Sequence, residues 1–404
     1  MEDPSNKEEP PRVLNVLEAL KQASHDLQAS SDDSNSSAIK ALLELETESE
    51  NILSKDPHLS TLSQHLSSLK TLVQTLQRSR GHSLKNFLTR RVSTHSISRV
   101  AGSIETEIQA WIDRESIENL TEALKDPSDN NNDEDELVML LTQFEGRVLQ
   151  GFNHELQDLL LKAKVFSSLE TALCDSNCSK RIREHSASAV AALIRFNKDV
   201  FVGQVLMGPT IQALITIGSS HSFKVLCALI KSIKSPLVDE IESNGEIPKI
   251  ISFLDVKDLQ MKMVAMDCIL EIGYFGRKDA IEAILEQGLV NKLVELQRSE
   301  LGGDLIEIER LNEEEEEKEK EKENDSVGGV METKRESRQR RFLESHPFAS
   351  CVARFAVQLE VGEGLRQREK RAFKQEIIMR VREASVSDAE ASTIVAEVLW
   401  GSSP

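Results

Sequence analysis

The chain has 404 residues, a formal net charge of −19, 39% hydrophobic residues and only 4% aromatic residues. A chain of this length holds two or three domains, or one long repeat array. The acidic balance argues against non-specific nucleic-acid binding by the whole chain, because phosphate contacts need Lys and Arg, and we expect no specific nucleic-acid partner. Five scattered cysteines, at 174, 178, 227, 268 and 351, indicate a reducing compartment rather than a disulfide framework.

The first third of the chain is predicted to be helical. Residues 1–11 are acidic, lack the apolar core of a secretory signal and are predicted to be a disordered tail. Residues 12–125 are predicted to form an N-terminal helical region, because apolar residues recur there at helical spacing. The predicted amphipathic helices of this region lie at 12–30, 36–53, 59–76 and 100–117.

A basic stretch at 78–99 separates the last two of these helices and contains six Lys or Arg residues. Within it, the run Arg90-Arg91-Val92-Ser93 resembles a site for basophilic kinases and makes Ser93 a candidate phosphosite. A phosphate there would add about −1.5 to −2 units of charge beside two arginines. The alternative is that so short a motif arises by chance.

The residues that follow repeat themselves. An acidic loop is predicted at 126–136 and a set of repeats at 137–299. Four related segments begin at 164, 208, 245 and 288, so the steps between them are 44, 37 and 43 residues. Periods of roughly 40–47 residues are typical of armadillo and HEAT arrays. The four segments are KVFSSLETAL, GPTIQALITI, GEIPKIISFL and GLVNKLVELQ.

Each repeat is predicted to contain a long helix, a short helix, a glycine turn and another helix. The long helices are predicted at 182–196, 223–233 and 259–275. Glycine suits the turn because the residue that closes a helix often needs a positive φ. Pro248 suits the first turn of the next helix, where its missing N–H is not needed.

The phrases SNGEIPKIISFL and EQGLVNKLVELQ resemble the "GAIPALVxLL" segment of the armadillo-repeat family. The resemblance implies an all-α fold, a right-handed superhelix of three-helix repeats whose third helices line a concave groove, here preceded by the N-terminal helical region. The candidate partner-binding residues in that groove are Lys224, Lys231, Lys234, Lys262, Asp267 and Glu271. The alternative is that these six residues are simply a solvated helix face.

Nuclear-import receptors of the armadillo family place Trp and Asn on successive third helices, where they hold a basic peptide. Here the two tryptophans, Trp111 and Trp400, lie outside the central repeats, so binding of basic import signals is disfavoured. The third helices were expected to present other residues at these places: Ala189, Ala192, Leu226, Leu229, Asp267 and Glu271.

The segment LVQTLQRSRGHSLKNFLTRRVSTHSISRVAGSIETEI, at 72–108, resembles the helical region that precedes the U-box in plant U-box ubiquitin ligases. Nothing at 120–161 resembles the U-box itself, which opens with a "CPIS…DPV" pattern. The chain therefore looks like a relative that retains the flanking parts without the module that binds the ubiquitin-conjugating enzyme. This resemblance gives an alternative function, a ubiquitin-ligase component that recruits substrates.

A charged insertion is predicted at 300–341. Residues 301–325 contain twelve acids and four bases, so the segment is predicted to be disordered, or in part a single exposed helix or coiled coil. The basic cluster Lys334, Arg335, Arg338, Arg340 and Arg341 is a candidate nuclear-localisation signal, with charge balance beside the acidic block as the alternative. Residues 342–404 are predicted to form a final repeat and cap helices, with a capping box from Ser387 to Glu390 and a polar outer face.

No catalytic motif stands out, and we expect no catalytic residue, metal or cofactor. The pair Cys174 and Cys178 has the spacing of half a metal site but lacks a second pair. The most apolar run, 200–217, is broken by Gly and Pro and predicts two short helices rather than a membrane span. The sequence therefore predicts a non-enzymatic adaptor or scaffold that binds a protein partner in the cytoplasm or nucleus.

Overall fold

A computed structural model of the chain describes residues 17, 19, 21–22, 60–78, 84–125, 131–302 and 345–400. No β-strand occurs among these residues, which confirms the predicted all-α fold. The helices are α1 (Ser60–Arg78), α2 (Leu84–Ala123), α3 (Asn131–Leu149), α4 (His154–Lys162), α5 (Val165–Cys174), α6 (Lys180–Phe196), α7 (Lys198–Met207), α8 (Thr210–Ile217), α9 (Ser220–Ile233), α10 (Ser235–Ser243), α11 (Ile247–Ser252), α12 (Leu259–Phe275), α13 (Lys278–Glu286), α14 (Leu289–Arg298), α15 (Cys351–Val361), α16 (Gln367–Ala384) and α17 (Asp388–Trp400).

The chain divides into two compact units, one of residues 1–126 with 152–165 and one of residues 127–151 with 166–404. In the described part of the first unit, α1 and α4 pack against α2. The predicted helix at 100–117 is the middle of α2, which has 40 residues because no proline interrupts the basic stretch from Leu84 onward. The buried residues of α1 and α2 follow helical spacing: Leu62, Leu66, Leu69, Ile97, Ala101, Ile104 and Ile108.

The second unit is a ladder of long helices. Helix α3 packs against α6, α6 against α9, α9 against α12 and α12 against α15. Between successive long helices the chain forms a short helix, a turn and another helix, as predicted: α7 and α8, then α10 and α11, then α13 and α14. This succession is the three-helix repeat of an armadillo-type array, and each repeat buries its apolar side chains against its neighbours.

The glycine turns serve two different purposes. Gly245 and Gly288 have φ values of 67° and 72°, in the left-handed region where glycine carries no steric cost. Gly208 differs, because its φ is −96°. A Cβ at Gly208 would meet the carboxylate of Glu170 and lie 2.7 Å from the carbonyl oxygen of Gln204. Gly208 is therefore required by close packing rather than by a positive φ.

The predicted acidic loop at 126–136 is helical from Asn131 onward, so that part of the prediction is wrong. Acidic residues stabilise the first turn of a helix by interacting with its positive end. They also have partners on α6 and its cap: the Ser179 hydroxyl donates to Glu134 over 2.8 Å, and Arg181 pairs with Asp135 over 2.8 Å. These partners lie more than forty residues away in sequence, so local composition alone did not reveal them.

The chain turns between α3 and α4, where the helical backbone is interrupted. Gly151 has a φ of 129°, and Asn153 caps the N-terminus of α4 by accepting a hydrogen bond from the Leu156 N–H over 2.9 Å. Residues 152–165 belong to the first compact unit, whereas the prediction assigned them to the repeats.

Both ends of the predicted insertion meet on the second unit, where the Phe348 N–H donates to the Leu301 carbonyl over 3.2 Å. After this contact α15 continues the ladder, and α16 and α17 pack on it and on each other. Helix α17 begins at the predicted cap, since the Glu390 N–H donates to the Ser387 hydroxyl over 3.2 Å. Most of the charged segment, including the candidate nuclear-localisation signal, lies outside the described residues.

The C-terminal end of α17 and the residues just before this helix are not polar, which differs from the predicted polar outer face. Val386, Leu399 and Trp400 are 76%, 49% and 85% exposed. Ile394 and Val398 on the inner side of α17 are buried, so apolar side chains lie on both sides of its last two turns. The array therefore ends in an exposed apolar edge.

The apolar run at 200–217 forms two helices, α7 and α8, as predicted. Only together do they have the length and apolar composition of a membrane span, and they are bent by 69° at the break between them. No single helix within the described residues is long and apolar enough to cross a membrane.

Candidate functional site

An open groove of about 510 Å³ crosses four successive long helices, α6, α9, α12 and α15. Helices α9 and α12 supply most of its lining, and α6 and α15 supply one residue each. The lining residues are Arg195, Lys224, Cys227, Ala228, Lys231, Ser232, Val264, Asp267, Leu270, Glu271 and Gln358.

Helical spacing explains why these residues share one surface. Those on α9 lie at positions i, i+3, i+4, i+7 and i+8 from Lys224, which is one face of a helix. The other faces of α9 are covered by neighbouring helices, and Phe223, Leu226 and Ile230 are fully buried there. Burial of the apolar stripe fixes the rotation of α9 about its axis, and its polar stripe therefore lines the groove.

The groove combines an apolar floor with a charged rim. Cys227 and Val264 are nearly buried and form part of the floor. On the rim, Lys231 Nζ lies 3.1 Å from Glu271 Oε1. This hydrogen-bonded ion pair raises the pKa of Lys231, so the ammonium stays charged at neutral pH. The Lys231 side chain is exposed and that of Glu271 is partly exposed, so the pair contributes little to stability and can exchange partners with a ligand.

Two exposed cations on the rim, Arg195 and Lys224, have no polar partner among the described residues. A third group, Asp267, is exposed by area, yet packing around its carboxyl group raises its pKa. The positive charges of Arg354 and Lys231 oppose that rise, and the carboxylate of Glu271 adds to it. The rim therefore carries both signs of charge, with two cations that are not neutralised.

The structure brings together four of the six predicted groove residues, Lys224, Lys231, Asp267 and Glu271. Lys262 is half-buried on another side of α12 and does not line the groove. Lys234 lies at the corner between α9 and α10 with a φ of 71°. Its ammonium group pairs with Glu363 over 2.8 Å and lies 5.7 Å from the ring centroid of Phe275. Lys234 thus stabilises a corner of the fold.

Sequence reasoning missed several lining residues and misplaced others. Arg195, Ala228, Ser232 and Gln358 line the groove but were not predicted to do so. The residues expected there from α6 and α9, namely Ala189, Ala192, Leu226 and Leu229, are buried in the core. The signal that could have found Arg195 is its position as the one exposed charge near the end of an otherwise apolar stretch of α6.

A second polar cluster links α6 and α9. The Ser188 hydroxyl and His221 Nε2 lie 2.8 Å apart, and the rings of His185 and His221 are 6.4 Å apart. Burial, and then the neighbouring His221, lower the pKa of His185, which keeps that imidazole neutral at physiological pH. Among the described residues no carboxylate forms a hydrogen bond with either imidazole, so the cluster lacks the third group of a nucleophilic triad.

The thiols do not form a reactive or metal-binding group. Burial is the main cause that raises the pKa of Cys174 and Cys178, so neither is poised as a thiolate. Burial also raises the pKa of Cys351 to about 12. Within the described part of the chain, no set of three or more His, Cys, Asp or Glu side chains is arranged to hold a metal ion.

The candidate phosphosite lies on α2, because Ser93 is within its helical backbone; its side chain is outside what the structure describes. The candidate nuclear-localisation residues Lys334, Arg335, Arg338, Arg340 and Arg341 are also outside the described residues. Both sites stay predictions.

Comparisons with known proteins give only distant matches. No protein-family model matches the sequence, and no curated protein matches it significantly. A designed armadillo repeat protein is 15% identical with a TM-score of 0.40, over 69% of this chain and 98% of that one. An engineered protein is 15% identical with a TM-score of 0.41, over 96% of this chain and 88% of that one.

Kap121p, in a crystal structure with Nup53p bound, is 12% identical with a TM-score of 0.43, over 95% of this chain and 33% of that one. Because no family model and no curated protein matches the sequence, the relation to plant U-box ligases stays a prediction. The assignment of this chain as an armadillo-type helical array therefore rests on its own ladder of helices.

Proposed function

We propose that this chain is a non-enzymatic adaptor that binds a segment of a partner protein along the groove of α6, α9, α12 and α15. The observation that carries the proposal is the groove itself, where an apolar floor is bordered by polar side chains from four successive helices. Such a surface offers several shallow contacts instead of one deep pocket. Affinity would then depend on a few buried anchors over Cys227 and Val264, with the charged rim selecting the partner.

The dimensions of the groove favour an extended peptide. Packed helices lie about 8–10 Å apart, so four successive helices span roughly 25–30 Å. An extended chain covers that distance with about eight residues. The unpaired cations Arg195 and Lys224 lie on the rim, so acidic side chains of the partner are the ones they would bind.

Affinity capture followed by quantitative mass spectrometry tests the proposal. Three full-length forms are compared: the unaltered chain, a groove variant with Arg195→Glu and Lys224→Glu, and a control variant with Lys198→Glu and Lys257→Glu. The control residues are exposed and lie outside the groove, and the change in net charge is the same. We expect a set of partners to be lost at least about fivefold in the groove variant alone, which corresponds to roughly 1 kcal/mol. Equal recovery from all three forms would contradict the proposal.

The alternative proposal, a ubiquitin-ligase component that recruits substrates, rests on the resemblance at 72–108. The described residues at 131–162 form α3 and α4, so a catalytic U-box is not expected there. An assay with purified chain, ubiquitin, and the activating and conjugating enzymes separates the two. Ubiquitin chains that form only when this protein is present would replace the adaptor proposal with a catalytic one.

A further inference from the structure

Helix α16 contains six Lys or Arg residues, more than any other described helix of the second unit, in a chain with a net charge of −19. Its apolar stripe, Phe373, Ile377 and Val381, is buried against the array. Its basic residues, including the one that caps it, are Arg366, Arg368, Lys370, Arg371, Lys374, Arg380 and Arg382.

Three of these bases hold the helix in place. Lys370 Nζ donates to the carbonyl oxygens of Glu360 and Gly362 over 2.9 and 2.7 Å, at the end of α15. Lys374 pairs with Glu360 over 2.8 Å. Arg380 donates to the Leu285 carbonyl over 2.6 Å and pairs with Glu376 over 2.7 Å. The fold accounts for these charges.

Three other bases form what we call the arginine face, namely Arg368, Arg371 and Arg382. All three are exposed, and none has a polar partner among the described residues. They lie at positions i, i+3 and i+14, which places them on one side of the helix, opposite the buried stripe. Gln375 and Met379 lie between them on that side and are also exposed. These three charges therefore make no hydrogen bond or ion pair that would hold α16 in place within the described part of the chain.

The same unit carries a strongly acidic segment that begins close to α16. Helix α14 packs against α16, and Arg298 at its end donates to the Ala384 carbonyl over 3.2 Å. The chain leaves the described residues after Gly302 and returns to them at Ser345, and Phe348 is hydrogen-bonded to Leu301. Residues 301–325 contain twelve acids and four bases, including five consecutive Glu residues at 313–317.

The distances permit contact along the whole arginine face. Ten residues lie between Gly302 and Glu313, and an extended chain of that length spans up to about 35 Å. Helix α16, with 18 residues, is about 27 Å long. The glutamates can therefore reach any part of α16 from the place where the segment begins.

We propose that the acidic segment at 307–325 docks on the arginine face of α16. Arginine suits this role because its planar guanidinium group binds a carboxylate through two parallel hydrogen bonds. The contact neutralises an uncompensated stripe of positive charge and is weakened by salt, since the three arginine side chains are exposed. An acidic segment of a partner protein would have to displace the chain's own segment to bind there.

A labelled peptide of residues 307–325 tests the proposal by fluorescence anisotropy, with full-length protein at about 50 mM salt, where screening is moderate. It is titrated with the unaltered chain and with a neutralised chain in which the eight Glu residues at 313–317, 319, 321 and 323 are changed to Gln. A tethered segment has a millimolar effective concentration and outcompetes the added peptide. We therefore expect the peptide to bind the neutralised chain at least about tenfold more tightly.

Changing the arginine face separates specific docking from general attraction. Adding Arg368→Glu, Arg371→Glu and Arg382→Glu to the neutralised chain should abolish binding of the peptide. The matched control changes three exposed lysines outside α16, with Lys180→Glu, Lys198→Glu and Lys257→Glu, and should retain binding. A second variant with Arg368→Gln, Arg371→Gln and Arg382→Gln removes the three charges without reversing them. It should also lose binding, and it tests the proposal even if charge reversal disturbs the fold.

Three results would overturn the proposal. Equal binding to the unaltered and neutralised chains would show that the face is free, and would make an acidic partner its occupant. Equal loss in the arginine and lysine variants would show general attraction. Absence of binding to the neutralised chain would show that the face does not accept the segment.

Discussion

At the scale of single residues, a glycine can be required by its backbone conformation or by the lack of room for a side chain, and Gly245 isolates the first cause. Gly245 has a φ of 67°, and a Cβ there would meet nothing within 4 Å. Gly203 on α7 is equally free of neighbours, but no positive φ occurs there. The two positions differ in backbone conformation, while the space around a new methyl group is open at both.

We therefore expect Gly245→Ala to destabilise the protein by about 1–2 kcal/mol, the cost of a left-handed conformation for a residue with a Cβ. Gly203→Ala should instead stabilise it by about 0.5–1 kcal/mol, because alanine is the better residue inside a helix. Urea unfolding of the three proteins measures both changes. A stabilising Gly245→Ala would contradict this account of the turn.

The Arg298–Glu390 pair gives a prediction on pH. Arg298 Nε and Nη2 lie 2.7 and 3.0 Å from the two carboxylate oxygens of Glu390. The hydrogen bond from Arg298 is the main cause that lowers the pKa of Glu390 below 4.5. Because the folded-state pKa is the lower one, the contribution to stability is present above the ordinary pKa. It is lost as pH falls through the lowered value.

Glu390→Gln should therefore cost about 0.5–1 kcal/mol at pH 7, a figure that allows for partial exposure of the pair. The difference between the two proteins should shrink as the pH falls through the lowered pKa of Glu390 and its carboxylate becomes protonated. Urea unfolding at pH 7, 4.5 and 3 measures it. Glu383→Gln is the control, since Glu383 is exposed and has no polar partner among the described residues. A difference that persisted unchanged at pH 3 would refute the assignment.

At the scale of helices, Leu254 connects one repeat to the next. It is 1% exposed and lies in a 3₁₀ turn that packs against α12. The adjacent Phe253 ring lies 4.8 Å from the ring of Phe223 on α9. Leu254→Ala should cost about 2–5 kcal/mol, because it leaves a cavity between these helices.

In a repeat array the damage should remain local at first, since each repeat touches only its neighbours. We expect hydrogen exchange in Leu254→Ala to rise first in α9 and α12. Helix α1, in the other compact unit, should stay protected. Equal loss of protection in α1 would mean that the two units unfold together.

The positions of the long helices could be predicted from the sequence, but the side of each helix that faces the groove could be predicted only in part. The repeat period placed α6, α9 and α12 correctly, and on α9 the seven-residue spacing of Lys224 and Lys231 indicated the groove side. On α6 that signal is lost, because nine of its residues are buried and apolar side chains occupy most of its circumference. Periodicity alone did not distinguish the core side from the groove side, so Ala189 and Ala192 were misplaced and Arg195 was overlooked.

The high density of acidic residues at 131–136 also led to a wrong prediction. A run of acids predicted a loop, but Glu134 and Asp135 lie in the first two turns of α3, where Ser179 and Arg181 bind them. Local sequence contains the helix-stabilising acids but does not show their distant partners. The exposed apolar edge at Trp400 was missed for a different reason, since a helix apolar on both sides gives the pattern of a buried one.

At the scale of the whole molecule, the charged insertion interrupts the array without separating its parts. Helix α15 follows α12 in the ladder although 75 residues separate Phe275 from Cys351. Cys351 itself is buried, and its thiol donates to the Leu293 carbonyl over 3.2 Å. The core of the array therefore continues from α12 to α15, because these two helices pack directly against each other although the insertion lies between them in sequence.

Deleting residues 312–331 should accordingly leave the thermal midpoint nearly unchanged. The highly charged composition of these residues cannot contribute a core. The ends of the insertion are already joined by the Phe348–Leu301 hydrogen bond, so a shorter connection can still close. Contacts between exposed charges, such as those proposed for α16, contribute little to stability even when they select a partner. Calorimetry of the deleted and full-length chains measures the effect. A drop of more than about 5 °C would exceed what a surface connection causes in a chain of this size, and would show that the segment belongs to the packed structure of the array.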